Sequence, residues 1–214
     1  MKELTLKSGK TISLNQAFNM DCLDFMKELP DKCIDLVLTD PPYGKNIETS
    51  GTKFKKFTTK GWDKEIPSEE IFNEIFRVSK NQIIWGGNYF TKYLPPTKNW
   101  IIWDKNNYGR DFADCEMCWC SFDKVARIIK KRPMNMDGGK IHPTQKPLKV
   151  FNYCIDMYAG EDDIILDPFM GSFTGAISAY QTNRSWLGCE KDPDYFKAGY
   201  HRYEQETKQL VMEF

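Results

Sequence analysis

Asp40, Pro41, Pro42 and Tyr43 are the residues of this sequence best suited to carry out chemistry. They follow the apolar run 33–39, which predicts a buried strand because it is short, rich in branched side chains and closed by prolines. Since proline has no N–H, the strand must end there. It then presents a carboxylate, a carbonyl and an aromatic ring, which suit a planar nucleobase amine. The alternative is that Asp-Pro-Pro only makes a tight turn.

A second stretch suited to chemistry begins after the predicted strand 164–166. A tight loop of small residues follows, then a helix from about Thr174, and this layout lets backbone N–H groups hold a nucleoside-type cofactor. The candidate cofactor residues of this loop are Asp167, Phe169, Gly171 and Ser172. The next predicted strand, 186–189, ends at Glu190, where an acid can accept both ribose hydroxyls. The alternative for Glu190 is an exposed charge at a strand end.

A third stretch, His142–Pro147, reads His-Pro-Thr-Gln-Lys-Pro. This hexapeptide, the Asp40 tetrapeptide and the 167–172 loop resemble three motifs of the S-adenosylmethionine-dependent amino methyltransferases. Because the catalytic strand precedes the cofactor strand, the chain resembles the beta group of DNA amino methyltransferases. Three motifs in one consistent order are stronger evidence than any one of them alone.

The resemblance implies roles for residues outside the catalytic tetrapeptide. In this family, a lysine at the position of Lys146 can reach the methionine carboxylate of the cofactor. An acid at the position of Asp21 binds the cofactor's adenine amine, and we place Cys22 in the same site. From local sequence alone, Asp21 is equally suited to cap the helix that follows it.

The chain departs from the family pattern at Phe173. The family usually has a second glycine there, two residues after Gly171. A side chain at this position is expected to crowd the cofactor or to shift the loop, because glycine is used there for its missing side chain. Gly175 is a candidate for compensation.

The activity implied by the resemblance is site-specific DNA methylation of the restriction-modification kind. A methyl group passes from S-adenosylmethionine to N6 of an adenine flipped out of double-stranded DNA. Asp rather than Ser at position 40 favours adenine N6 over cytosine N4 in this family. The open alternatives are an N4-cytosine enzyme, an enzyme acting on RNA or single strands, and a binding-only descendant indicated by Phe173.

The elements that must position these motifs predict one α/β domain over residues 1–214. The expected fold is a doubly wound, mostly parallel sheet of the seven-stranded type. Two aromatic strands, 100–103 and 116–122, are expected to form an antiparallel hairpin at its edge. The other predicted elements are strands at 11–18 and 82–85 and helices at 23–29, 68–77 and 148–158.

Charge patterning predicts local rather than global attraction for nucleic acid, since thirty basic residues balance thirty acidic ones. The segment 44–61 is polar and lysine-rich, and we interpret it as a mobile lid. The segment 105–140 is the candidate for base recognition, which is expected to be short or shared with a second copy in a homodimer. The candidate phosphate contacts are Lys45, Lys53, Lys55, Lys56, Lys60, Lys130, Lys131 and Arg132. The alternative is that both basic clusters are solvated loops.

The composition indicates a cytoplasmic protein. No apolar segment approaches the roughly 18 residues that cross a bilayer, and residues 1–10 lack the apolar stretch of a signal peptide. The seven cysteines lack the spacing of a disulfide scaffold. Cys115, Cys118 and Cys120 have no second cysteine pair to complete a zinc site, so no metal is expected.

Overall fold

The structure is a computed structural model that describes residues 2–45, 63–109, 113–133, 141–142 and 144–211. The strands in these ranges are β1 (Glu3–Thr5), β2 (Thr11–Ser13), β3 (Gln16–Phe18), β4 (Ile34–Thr39), β5 (Ser79–Trp85), β6 (Trp100–Asp104), β7 (Cys115–Cys120), β8 (Arg127–Lys130), β9 (Ile164–Asp167) and β10 (Ser185–Cys189). The α-helices are α1 (Cys22–Glu28), α2 (Glu69–Val78), α3 (Leu148–Tyr158), α4 (Thr174–Gln181) and α5 (Pro193–Val211). A short 3-10 turn spans Gly87–Tyr89.

Eight strands form one sheet in the order β3, β10, β9, β4, β5, β7, β6, β8. The strands from β3 to β5 in this order are parallel, whereas β7 runs antiparallel to both β5 and β6. The remaining strands, β1 and β2, pair with each other in a separate ribbon. The predicted α/β fold with an antiparallel hairpin is therefore confirmed. Strand β8 lies outside the hairpin as one further strand, parallel to β6.

The order of the sheet reverses between β4 and β9. From β4 the chain crosses through α2 to β5 on one side, and from β9 it crosses through α4 to β10 on the other. The connections diverge at this point and leave a crevice at the carboxyl ends of the two strands, where ligands bind in open α/β sheets. The register, with Val37 opposite Leu166, brings the Asp40 and Asp167 loops to this crevice.

Helices cover both faces of the sheet. Helices α1 and α2 pack over one face, and α3 and α4 pack over the other with α5 beside them. On β4, Val37 belongs to the first of these cores and Leu36 and Leu38 to the second, and none of the three is exposed. A strand buried on both faces needs a near-continuous apolar sequence, which explains the run before Asp40.

The single strand expected over 11–18 is two short strands, and that prediction was wrong in this detail. The break is at Asn15, whose φ of 63° lies in the left-handed region that asparagine tolerates better than most residues. Its side chain accepts a hydrogen bond from the Trp186 N–H at 3.0 Å. The break therefore lets β2 pair with β1 while β3 joins the main sheet beside β10.

Candidate active site

Asp40 stands at the end of β4, at the mouth of the crevice. Its Oδ1 accepts a hydrogen bond from the Tyr43 hydroxyl at 2.5 Å and forms an ion pair with the Lys146 ammonium. Its Oδ2 has no hydrogen-bond partner among the described residues, and neither has the buried carbonyl of Pro41. Burial raises the pKa of Asp40 even though Lys146 opposes this, and the Glu116 charge raises it further. Two acceptors are thus available at the predicted place.

The Tyr43 side chain is partly buried and is held by several contacts. Its ring stacks on Tyr89 with centroids 5.0 Å apart and lies directly against Gly86, where an added Cβ would be 2.1 Å from the ring. Burial raises the pKa of Tyr43 well above its usual value, and the Asp40 charge adds to this, so the phenol stays protonated. The N–H groups of Tyr43 and Gly44 both donate to Asp63 Oδ1, at 2.9 and 3.0 Å. Tyr89 therefore occupies one face of the Tyr43 ring.

Lys146 lies between two carboxylates. Its side chain is 3% exposed, and its Nζ contacts Asp40, Glu116 Oε2 at 3.1 Å and the Tyr43 hydroxyl at 3.0 Å. Burial lowers the pKa of Lys146, but the Asp40 and Glu116 charges outweigh this and the pKa is raised. The lysine is therefore charged and is bound to the Asp40 carboxylate.

Asp167 ends β9 beside Asp40. Its Oδ1 accepts hydrogen bonds from the Thr39 hydroxyl at 2.8 Å and from the Phe169 N–H at 3.1 Å. Burial raises its pKa to about 7, against the effect of these two donors. A Cβ at Gly175 would lie 2.8 Å from Oδ2, so α4 can begin this close to Asp167 only because position 175 is glycine.

Gly171 and Glu190 join the cofactor loop to the end of β10. The Gly171 N–H donates to Glu190 Oε2 at 2.8 Å, and the Asp192 N–H donates to Oε1 at 2.9 Å. Gly171 has a φ of 47°, in the left-handed region. Burial raises the pKa of Glu190. Each carboxylate oxygen keeps a lone pair for a further donor such as a ribose hydroxyl.

Phe173 does not point into the crevice. It adopts a left-handed φ of 60° at the start of α4, and its ring is fully buried against Phe196 and Tyr200, with centroids 5.7 and 6.2 Å away. A Cβ on Gly199 of α5 would come within 2.2 Å of the ring. Gly199, rather than Gly175, therefore makes the room for this side chain.

Asp21 lies next to Glu190, because β3 and β10 are neighbours with Phe18 opposite Cys189. Its Oδ1 caps α1 by accepting from the Leu23 N–H at 2.9 Å, and its Oδ2 pairs with Lys191 at 2.9 Å. Cys22 is buried, and burial raises its pKa to about 12. The helix-cap role of Asp21 is thus observed, and its role in binding the cofactor stays a prediction.

The hexapeptide forms one wall of the cleft between the Asp40 and Gly171 loops. Pro143 lies outside the described residues; His142 is buried, and its ring packs edge-on against Tyr195 with centroids 4.4 Å apart. The cavity volume of the cleft is about 30 Å³. Its lining residues are Asp40, His142, Thr144, Gln145, Lys146, Phe151, Asp167, Phe169, Met170, Gly171, Ser172 and Thr174.

The basic candidates are divided between described and undescribed parts of the chain. Lys53, Lys55, Lys56 and Lys60, with most of the expected lid, lie outside the described residues. Lys45 is exposed, and its Nζ lies 4.2 Å from the centroid of the Tyr89 ring. Lys130 ends β8, and Lys131 and Arg132 follow it at the crevice edge of the sheet, since β8 runs parallel to β6. Lys130 also pairs with Asp104 at 3.8 Å.

Several residues of the site were not identified from the sequence. Glu116 is the second residue of β7, and its Oε1 pairs with Lys105 at 2.6 Å. Asp63 accepts from the Tyr43 and Gly44 N–H groups, and Tyr89 stacks on Tyr43. The available signals were weak: a single acid within a cysteine-rich strand, and a Gly-Gly pair after the strand that ends at Trp85. Within the described ranges no cluster of three or more His, Cys, Asp or Glu side chains is placed to hold a metal ion. The same ranges contain no helix with the length and apolar character of a membrane span.

The fold and the site define an α/β enzyme with a nucleotide-type cleft beside a buried acid. The sequence profile of the DNA methylase family matches residues 90–201, more than half of the chain. The chain therefore belongs to the N6/N4 DNA methylases, so it is a DNA amino methyltransferase with S-adenosylmethionine as its cofactor. These three predictions, of family, general activity and cofactor, are confirmed.

Individual relatives agree with this assignment. The Type II methyltransferase M2.MboI of Moraxella bovis is 28% identical over 246 aligned positions, which cover 91% of this chain and 89% of that protein. The solved complex of M1.HpyAVI with S-adenosylmethionine has a TM-score of 0.60 at 22% identity, covering 87% of this chain and 98% of that one. The cytosine-N4-specific PvuII DNA methyltransferase has a TM-score of 0.62 at 15% identity, covering 93% of both chains. These two structures show the fold, which does not distinguish the two target atoms.

Proposed function

We propose that this chain methylates the exocyclic N6 of adenine in double-stranded DNA. The observation that carries the proposal is the pair of available acceptors, Asp40 Oδ2 and the Pro41 carbonyl, beside the cofactor cleft. An exocyclic amine has two N–H groups and so matches two acceptors. Asp rather than Ser at this position favours adenine over cytosine in the family that the sequence resembles.

The residues around Asp40 support transfer by positioning and electrostatics. Bound S-adenosylmethionine supplies the methyl group. Asp40 Oδ2 and the Pro41 carbonyl accept the two amine protons, and the carboxylate stabilises the positive charge that builds up on nitrogen as the N–C bond forms. Tyr43 and Lys146 hold Oδ1, so the carboxylate does not turn away. Preorganisation of this kind lowers the barrier without a strong base.

The cleft residues fit the cofactor. Glu190 has a spare lone pair on each oxygen for the ribose hydroxyls, and Gly171 keeps the loop backbone close to the cleft. Phe169 and Ser172 line the same cleft. We assign Asp21 and Cys22 to the adenine end, because they follow β3 at the strand end next to Glu190.

The DNA is proposed to lie along the crevice edge of the sheet. A stacked base cannot reach Asp40, so the adenine must be flipped out of the duplex. Lys45 and the 130–132 cluster both lie at this edge and can contact phosphates. Strands β7 and β8 belong to the main sheet, so the parts of 105–140 proposed to read bases are the loops beside them. A second copy of the chain is proposed to share this task, and light scattering at working concentration would test it.

Mass spectrometry of nucleosides from cells that express the chain tests the target atom. We expect N6-methyladenine in DNA with the wild type, none with Asp40→Ala, and wild-type amounts with Asp162→Ala, whose carboxylate is exposed and pairs with Lys2. Appearance of N4-methylcytosine, or methylation only in RNA, would replace the proposed substrate. Calorimetry with S-adenosylmethionine tests the binding-only alternative, which the absence of any measurable heat would support.

A further inference from the structure

Two charged residues outside the sequence motifs extend the catalytic site into the β6–β7 hairpin. Glu116 is the second residue of β7 and Lys105 follows β6, and the register of the hairpin, with Trp103 opposite Glu116, brings them together. Glu116 binds Lys105 through Oε1 at 2.6 Å and Lys146 through Oε2 at 3.1 Å. The chain of contacts then continues from Lys146 to Asp40.

We call this chain of four charged side chains the relay. Its charges alternate in sign in the order Lys105, Glu116, Lys146, Asp40. A buried ion is costly unless it is paired and its hydrogen bonds are satisfied. An ammonium has three N–H donors, and three acceptors surround Lys146: Asp40 Oδ1, Glu116 Oε2 and the Tyr43 hydroxyl. The lysine is thus saturated within the protein, and its fixed position fixes Asp40.

We propose that Glu116 and Lys105 are positioning residues for methyl transfer, which hold Lys146 against Asp40 Oδ1 so that Oδ2 faces the substrate amine. This inference rests on the proposed role of Asp40 as the acceptor of that amine. In this arrangement Lys146 serves the catalytic carboxylate, and no N–H of it is left for the methionine carboxylate of the cofactor. Glu116 and Lys105 act through Lys146 and do not touch the substrate.

The relay predicts the direction in which each substitution shifts the pKa of Asp40. The charged and titratable groups that face Asp40 are Tyr43 from its own loop, Lys146 from the loop before α3, Glu116 from β7 and Asp167 from β9. Glu116→Gln keeps the shape and an acceptor but removes a negative charge, so the pKa of Asp40 should fall. Lys105→Met removes a positive charge, so the pKa should rise. Shifts of about half a unit to one unit are expected from charges at this range.

Two measurements on the full-length chain test the relay. The first is a ¹³C NMR titration of the Asp40 carboxylate in the cofactor-free protein, assigned with Asp40→Asn; it does not depend on activity. The second is kcat against pH on a methylatable duplex oligonucleotide, with the dissociation constant of S-adenosylmethionine measured in parallel. The matched control is Lys98→Met, because Lys98 precedes β6 at the opposite edge of the sheet and forms an exposed ion pair with Asp123.

We expect Glu116→Gln to move the Asp40 titration and the acidic limb of kcat to lower pH, and Lys105→Met to move both to higher pH. For both, kcat should fall by about tenfold to a hundredfold, as expected for a misplaced reacting group, while cofactor affinity stays within about twofold. Lys98→Met should change none of these. An unmoved Asp40 titration, or lost cofactor affinity with an unchanged pH profile, would overturn the relay. An inert wild type with a titration that moves as stated would instead overturn the proposed function.

Discussion

The hydroxyl of Thr39 donates a hydrogen bond to Asp167 Oδ1 at 2.8 Å, although the two residues are 128 positions apart in the chain. Both residues are buried, and each is the last residue of its strand. The bond joins the strand that carries the catalytic loop to the strand that carries the cofactor loop. The stability of the site therefore depends on this junction.

Thr39→Val is expected to destabilise the protein. Valine keeps the shape of threonine but leaves Asp167 with one donor fewer in a buried place, which should lower the free energy of unfolding by about 1–3 kcal/mol. Urea denaturation measures this. Thr11→Val is the control, since its hydroxyl meets Thr5 on an exposed ribbon at 3.3 Å, and its effect should stay within about 0.5 kcal/mol. Equal losses in the free energy of unfolding for Thr39→Val and Thr11→Val would show that the Thr39–Asp167 bond does not stabilise the protein.

The stability of the protein should decrease as the pH rises toward neutrality. The folded protein holds the Asp167 proton up to a pKa of about 7, whereas the usual value is 3.8. Between these values the folded state binds more protons than the unfolded chain, so the free energy of unfolding falls as pH rises and levels off above about pH 7. Asp167→Asn removes this titration and should flatten the slope between pH 5 and 7. A slope unchanged in the variant would assign it to other groups.

The contact between Phe173 and Gly199 predicts a strong coupling. Gly199→Ala places a methyl group against the Phe173 ring and should cost about 1–3 kcal/mol of stability. In a Phe173→Gly background the ring is gone, and only the Gly171 carbonyl oxygen, 2.9 Å from the added Cβ, still opposes the methyl group, so the same change should cost less than in the wild type, because alanine's preference for helix, worth up to about 1 kcal/mol, offsets part of the cost. A double-mutant cycle by denaturation measures this coupling, and additive effects would contradict the packing.

Gly86→Ala should reduce activity by displacing Tyr43. The new Cβ would meet the Tyr43 ring, and the hydroxyl would then leave Asp40. We expect kcat to fall by about a hundredfold, as for a misplacement of roughly 1 Å. Gly9→Ala is the control, since Gly9 has a similar φ of 84° with nothing within 4 Å of an added Cβ. Gly9→Ala introduces the same backbone strain and should leave kcat unchanged. An equal loss of kcat in both variants would show that backbone strain, and not displacement of Tyr43, causes the loss.

Glu190→Gln should weaken cofactor binding more than it weakens folding. The glutamine amide has one acceptor oxygen and one NH₂ group. The N–H of either Gly171 or Asp192 would therefore face that NH₂ group instead of an acceptor, and a ribose hydroxyl would lose its acceptor. We expect the dissociation constant of S-adenosylmethionine to rise by about tenfold or more. Calorimetry measures this, with Glu161→Gln as an exposed control. Unchanged affinity would remove Glu190 from the cofactor site.

Local patterns determined most of what could be predicted. Two prolines after an apolar run end a strand wherever it lies, and the apolar spacing of 148–158 predicts α3 at its observed bounds. The order of the motifs indicated which strands carry the site. Such predictions succeed because the interactions behind them lie within a few residues of one another. Asn15 is an instance where a single residue in the left-handed region divided a predicted strand.

Only the tertiary structure decided which distant residues complete the site. Glu116 meets Lys146 because β7 lies beside β5 in the sheet, and Lys105 reaches Glu116 from the neighbouring strand β6. Phe173 is accommodated because a helix that passes 26 residues later has a glycine at the contact. Ion pairing and close packing depend on distances that sheet order and register set, and the sequence spacing of the partners does not encode them. The sequence alone thus determined which groups follow β4, a carboxylate and a carbonyl, and the fold decided which charges hold that carboxylate in place.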